Sequence, residues 1–445
     1  MGSTVLRRAY LNASGYGNAE TLRQGWVEKV ERIVLMGAIA RGIKIEKMPW
    51  KDRVWVRPAL FLAKLLRLAA MHRSTLAGAD FLARLRIDWI RFNNSACPKP
   101  TVVHLLGTSD AVQDPDDVID IDQFPDVVPV EVPEATHASI IVPTPDTRSL
   151  YIRAFLGQSI PTRTVTASGS GHVFILMHGI RDSKVCFKEL ADEIKRRRPE
   201  ACVMLPTYGY LSIIGFLRPF YRDSFVAWFL DQYADHLARN PKAEFHYAGH
   251  SNGTYILGEA LRRVPRLSFN RVCFAASVLP TDFEWDRVID TRKQVQLVRS
   301  DMGYGDWAVG ILAKALHRLG SRTIGSGGYD GFKYGDTSHL VENVVSGGHS
   351  GMLYDRKYIM SIADFLLNGS PVRLDSGPFG AEPKWFTFFR AYADIVAFVL
   401  IVLALLFILV NVAGLLFLPV FGLAGWSLSS ALGLAIIILV ILDRL

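Results

Sequence analysis

Between residues 172 and 368, short apolar runs alternate with segments of helical period. "HVFILMHG" ends at Gly179 and reads as a buried parallel strand. "SKVCFKELADEIKRRR" has the spacing of an amphipathic helix, with Ser183 as its N-cap. "ACVMLPTYG" reads as a strand and "RDSFVAWFLDQYADHLARN" as a helix. The pattern repeats with the strand "EFHYAGHS" and the helix "NGTYILGEALRRV". The strands "RVCFAAS" and "QVQLVRS" follow, then a helix, "DWAVGILAKALHRLG", stopped by Gly320. "VENVVSGGHSG" and the helix "DRKYIMSIADFLLNG" close the region. Such alternation predicts an α/β fold, a mostly parallel sheet with helices on both faces. In such sheets the chemistry lies beyond the carboxyl ends of the strands.

Residues before 160 are less regular, yet they echo this pattern in the same order. "VERIVLMGAIARG" resembles "FNRVCFAASVLPTD", "PTVVHLLGTSD" resembles "KQVQLVRSD", and "VEVPEATHAS" resembles "ENVVSGGHSG". "MGSTVL" at the start resembles "NGTYIL" after Ser251. Four matches in register suggest a duplicated domain. The segments "LFLAKLLRLAAMH" and "FLARLRIDWIRF" between them read as helical, a cap or insertion.

The far end of the chain is different. From Ile395 to Leu442 no residue is charged, a run of 48 positions. One bilayer-spanning helix takes about 20 apolar residues, so the run predicts two spans, broken near Pro419, Gly422 and Gly425. Lys384 and Arg390 precede the first span and Arg444 follows the second. Positive charge stays on the cytoplasmic side, which predicts an integral membrane protein with its large domain in the cytoplasm. Neither span holds an ionisable residue, which argues against a transport path. The expected organisation is therefore 1–160, 168–370, a linker at 371–390, and a membrane hairpin at 391–445.

The net charge of +8 is scattered, apart from Lys195-Arg196-Arg197-Arg198 at a helix end, where it complements the dipole or meets lipid headgroups. No nucleic-acid motif accompanies it. Cys97, Cys186, Cys202 and Cys273 lack metal-ligand spacing. Cys202 and Cys273 lie in apolar runs and read as buried thiols, which suits a reducing compartment.

Candidate chemistry centres on Gly249-His250-Ser251-Asn252-Gly253. A strand precedes this G-x-S-x-G and a helix follows, the context in which a serine is presented on a sharp turn. Its hydroxyl would stand at a helix N-terminus, where developing negative charge is favoured. A base is expected at His349 in "SGGHSGML", with His339 a weaker candidate and His250 directed away from the nucleophile. The acid that orients the base should follow "QVQLVRS", which leaves Asp306 and Asp301, with Asp306 preferred because its loop can swing towards His349. Backbone N–H donors for an oxyanion are expected at Asn252 and, after the His178-Gly179 turn, at Ile180.

The strand ending in His-Gly, then G-H-S-x-G, then an acid, then Gly-Gly-His resembles the α/β-hydrolase superfamily of serine esterases and lipases, over residues 172–368. The resemblance implies an α/β-hydrolase-type sheet and acyl transfer by Ser251, His349 and Asp306, with an EC 3.1.1 type of activity and no metal or organic cofactor. An ester or lipid substrate is the expected partner, with the hairpin meeting the membrane; the oligomeric state stays open. "TYGYLSIIGFLRPFYRDSF" is a candidate apolar rim or lid, or ordinary packing. The competing reading is a hydrolase-like scaffold or membrane-interaction protein without turnover.

By the same resemblance, residues 1–160 form a truncated hydrolase-like half-domain. "VVHLLGTSDAVQDPDD" resembles the acid loop, with Asp110, and "VPEATHAS" the base loop, with His137. No G-x-S-x-G precedes them, so this half is expected to be inactive. Met1-Gly2 would fit the end of a second such pentapeptide, giving the expectation that the natural start lies upstream.

Overall fold

A computed structural model describes residues 2–16, 22–38, 41–42, 76–110, 127–158, 169–180, 185–207, 216, 219–303, 305–318, 320–336, 338–345 and 347–370, with a few positions between 392 and 406. Met1, Ser183, "LFLAKLLRLAAMH", most of the candidate rim, the linker and nearly all of the proposed hairpin lie outside the described residues. Among the described residues no helix is long and apolar enough to cross a membrane.

The chain forms two compact units. The first comprises Met1–Val173, Val226–Glu244 and Arg263–Leu267, and the second comprises Phe174–Phe225, Phe245–Arg262 and Ser268–Leu445.

Among the described residues, the first unit is built on three strands, β1 (Arg32–Met36), β2 (Thr101–Gly107) and β3 (Val127–Val132), in the order β1-β2-β3 and parallel throughout. Val103, Leu105, Val130 and Val132 form its core with Ile140, and with Tyr151 and Ala154 of a later helix (Arg148–Leu156). Helix α1 (Gly2–Ala13) lies on α2 (Asp80–Asn93), the helix read from "FLARLRIDWIRF". Tyr10 meets Trp89 and Phe92 edge-on, and Arg8 pairs with Asp88 at 2.9 Å. Arg41 and Arg86 are buried and matched by two carboxylates: Asp235 takes both, and Asp231 accepts from Arg86 at 2.8 Å. Unpaired, either guanidinium would be costly to bury.

Among the described residues, the second unit holds six strands: β4 (His172–Met177), β5 (Cys202–Met204), β6 (Glu244–His250), β7 (Phe269–Ala275), β8 (Val295–Gly303) and β9 (Leu340–Val345). Their spatial order is β5-β4-β6-β7-β8-β9, and the pairs from β6 to β9 are parallel. Strands β4, β6 and β7 are nearly continuous buried runs, as a sheet covered on both faces requires. The chain leaves β4 for β5 on one side and returns to β6 on the other. The order therefore reverses between β4 and β6, and open α/β sheets carry their crevice at such a reversal.

The helices that follow β4 and β9, α3 (Val185–Arg197) and α4 (Arg356–Asn368), pack on each other. Arg196 and Arg197 bond to Glu193, and Arg197 also to Asp364, so part of the basic cluster is engaged within the fold. Among the described residues Cys97, Cys202 and Cys273 form no disulfide; Cys273 is buried as read, but Cys202 is only half-buried because its short strand is the sheet's edge. The segment "DWAVGILAKAL" opens as a wider, π-helical turn at Ala308–Ala313 before the α-helical Lys314–Arg318.

The first unit repeats the β7–β9 half of the second in detail. Met36 ends opposite Leu105 as Ala275 ends opposite Asp301. The next residue has a left-handed φ in both, +54° at Gly37 and +51° at Ala276, and its amide donates to the carbonyl of Leu105 or of Asp301. The helices Arg148–Leu156 and α4 both end on a left-handed glycine, Gly157 and Gly369, each with φ +73°. An arginine from the first strand reaches the last turn in each: Arg32 donates to the Ala154 carbonyl at 3.2 Å and Arg271 to that of Leu366 at 2.7 Å.

Candidate active site

Ser251 stands between β6 and the helix α5 (Asn252–Arg263), at the carboxyl end of the strand beside the reversal. Its φ is +52°, in the left-handed region that costs an L-residue about 1–2 kcal/mol. The surroundings hold it there: its amide donates to Ala275 O at 3.1 Å, and its carbonyl accepts from Thr254 Oγ1 at 2.7 Å. Both motif glycines are demanded by close approach. A Cβ on Gly253 would lie 2.5 Å from the Met177 carbonyl oxygen, and one on Gly249 2.6 Å from the Tyr247 ring. The strand and the helix could not meet this tightly around larger residues.

His349, on the loop after β9, brings Nε2 to 2.9 Å from Ser251 Oγ. Its Nδ1 lies 3.0 and 2.9 Å from the two carboxylate oxygens of Asp306. With Nδ1–H donating to Asp306, Nε2 is left to accept from the serine hydroxyl. The loops are tied independently of these side chains, since Gly305 N–H donates to Gly347 O at 3.1 Å. Asp306 Oδ1 also accepts from Val309 N–H at 3.0 Å, so the carboxylate caps the turn behind it. Asp306 is wholly buried, whereas the His349 side chain keeps 23% exposure.

Asp301 is engaged elsewhere. It accepts from Arg299 Nε at 2.9 Å, Asn343 Nδ2 at 2.8 Å and the Tyr358 hydroxyl at 2.8 Å. Arg299 in turn donates to Ser361. Burial, then the charge of Asp301, push the Tyr358 hydroxyl well above its ordinary pKa, so it stays a donor. His339 lies on the exposed surface, bonded to Asp336 at 2.9 Å.

The β4 turn closes the other side of the crevice. A Cβ on Gly179 would be 2.9 Å from Ser251 Cβ, so only glycine lets this turn lie against the serine. His178 Nδ1 donates to the Gly179 carbonyl at 2.8 Å, and Ile180 follows, half-buried. Asn252 is the buried first residue of α5. The two residues expected to supply oxyanion donors thus flank Ser251, one along the chain and one at the adjoining turn.

His250 went unassigned in the sequence. Strand alternation turns it from Ser251, but its ring rests against that of His349, centroids 4.9 Å apart, and its Nε2–H donates to the His349 carbonyl at 2.8 Å. Its place in the pentapeptide was the only sequence signal for it.

The first unit carries a second acid–base pair. Asp110 Oδ2 and His137 Nδ1 are 3.0 Å apart, the carboxylate buried and the imidazole 41% exposed. The loop geometry matches as well, with Ser109 N–H donating to Ala135 O as Gly305 does to Gly347. The hydroxyls beside His137 in sequence, Thr136 and Ser139, bond to one another at 3.1 Å.

In strand order, elbow and the chain order Ser251, Asp306, His349, the second unit resembles one superfamily. The resemblance is to the α/β-hydrolases. No family model matches the chain, and no curated protein is similar to it. Solved structures similar to it include esterase PE8, 14% identical, covering 45% of this chain and 93% of its own, with a TM-score of 0.30. A predicted CIB-like hydrolase from Thermoplasma acidophilum is 15% identical over 46% of this chain and 89% of its own, at TM-score 0.29. An extracellular α/β-hydrolase from a Paenibacillus species is 15% identical over 44% and 98%, at 0.24. Likenesses this distant establish neither activity nor substrate.

Proposed function

We propose that the second unit is a serine hydrolase that cleaves carboxylic esters through an acyl-enzyme. The observation that carries this is the hydrogen-bonded chain from Ser251 Oγ to His349 Nε2 and from His349 Nδ1 to Asp306, on a serine held at φ +52°.

Ser251 Oγ attacks the ester carbonyl as His349 Nε2 takes its proton. The buried Asp306 carboxylate steadies the imidazolium that forms. The tetrahedral oxyanion is received by the amides of Asn252 and Ile180, with the N-terminus of α5 adding its partial positive charge. His349 returns the proton to the leaving alcohol. Water, deprotonated by the same imidazole, then releases the acid and restores Ser251.

We further propose that the enzyme is an integral membrane protein working at the cytoplasmic face, and that its ester is a lipid or other acyl ester. The uncharged run from Ile395 to Leu442 and the basic residues at its ends support this. A panel of p-nitrophenyl esters of rising acyl length, with wild type and Ser251→Ala, tests the reading. Turnover abolished by the substitution supports it, and turnover equal in both proteins overturns it.

A further inference from the structure

We propose that His250 is a positioning residue, which holds the loop carrying His349 at the place where its Nε2 meets Ser251. The inference rests on the hydrolase reading above and deepens it.

His250 meets all three segments that build the crevice. It is joined directly to Ser251 at the end of β6. Its Nε2–H donates to the backbone carbonyl of His349, ninety-nine residues further along the chain, at 2.8 Å. A Cβ on Gly179 would be 2.9 Å from its Nδ1, so the β4 turn is packed against the ring. The bond to His349 goes to the main chain, leaving both imidazole nitrogens of His349 for Ser251 and Asp306.

A carbonyl only accepts, so the geometry requires the proton on Nε2 of His250. The residue is buried. Burial foremost, then nearby His349, hold its pKa at about 3, so it stays the neutral donor at neutral pH. The loop it fixes is rich in glycine, with Gly347 at φ +134°; the Gly305 bond holds it at Gly347, and His250 holds it at His349 itself. A base displaced by about 1 Å costs on the order of 10²-fold in rate. That is the scale on which His250 acts.

The test uses the full chain with His250→Phe, His250→Asn and His250→Gln. Gln places its amide nitrogen near the position of Nε2, whereas Asn falls short and Phe cannot donate. A fluorophosphonate probe reads Ser251 reactivity, and ester kinetics separate kcat from KM. In the Phe and Asn variants the labelling rate and kcat should fall together by about 10²-fold with KM within about twofold, and Gln should recover most of the loss. Phe or Asn variants labelled as fast as wild type, or a Gln variant no better than Asn, would overturn the proposal. Selective ¹⁵N labelling of histidine gives a readout that does not depend on turnover. His250 should appear as the neutral Nε2–H form at pH 5, and a charged or Nδ1–H form there would also overturn it. A wild type that forms this tautomer yet takes no probe contradicts the hydrolase reading, not the His250–His349 contact.

Discussion

Asp110 and His137 stand 3.0 Å apart in the first unit, in the same strand-end loops that bring Asp306 to His349 in the second. In this pair the carboxylate is buried and the imidazole partly exposed. The hydroxyls nearest His137 in sequence are occupied with each other. His137→Ala is therefore expected to leave Ser251-dependent ester turnover within about twofold, since His137 pairs with Asp110 while Ser251 and Asp306 pair with His349. Steady-state kinetics of the purified variant check this.

The two aspartates near the end of β8 should respond differently to substitution. Asp306→Asn keeps the fold but favours the wrong imidazole tautomer, and kcat should fall by about 10⁴. Asp301→Ala leaves Arg299 buried without its carboxylate, and should cost about 3–5 kcal/mol of stability. Chemical denaturation alongside kinetics separates the two, with Asp306→Asn folded and slow and Asp301→Ala primarily unstable.

Ser251→Gly should stabilise the protein while abolishing turnover. Glycine adopts φ +52° without the penalty that serine carries there, so the gain should be about 1 kcal/mol. Comparison of denaturation midpoints in wild type and variant measures it. A less stable glycine variant would mean that the serine hydroxyl contributes more to the fold than its strain removes.

Acid should weaken both units before the carboxylates titrate. Burial holds His250 in the second unit and His104 in the first at about 3, with His349 and Arg7 respectively as the lesser cause. An unfolded histidine titrates near 6.5. Between those values the unfolded chain binds the proton and the folded one does not, so this stability is fully present above about pH 6.5 and declines as pH falls towards about 3. Unfolding free energies from pH 7 to pH 4 should show the decline, and His250→Gln should make it shallower.

The alternation of apolar runs and helical spacing made the β4–β9 sheet legible, because a strand buried on both faces is written as a continuous apolar segment. The expectation that Ser251, His349 and Asp306 meet drew on Gly249 and Gly253, which close approach demands, and on the Gly-Gly before His349, where Gly347 takes φ +134°. Other features depend on distant partners. Asp301 looked open to the acid role because Asn343 and Tyr358 reach it from other strands and helices. The hold of His250 on the His349 carbonyl has no local signature, since alternation says only which face of β6 it takes. The wide turn at Ala308–Ala313 arises where Gly310 lies against the Tyr329 ring, a contact that spacing does not encode.

The central claim is that Ser251 is a nucleophile activated by His349. Labelling of the full-length protein with a fluorophosphonate probe tests it most directly, with Ser251→Ala and His349→Ala beside the wild type. The wild type should label covalently at Ser251, Ser251→Ala should not label, and His349→Ala should label at a strongly reduced rate. A folded wild type that takes no probe, or one labelled equally after Ser251→Ala, would contradict it.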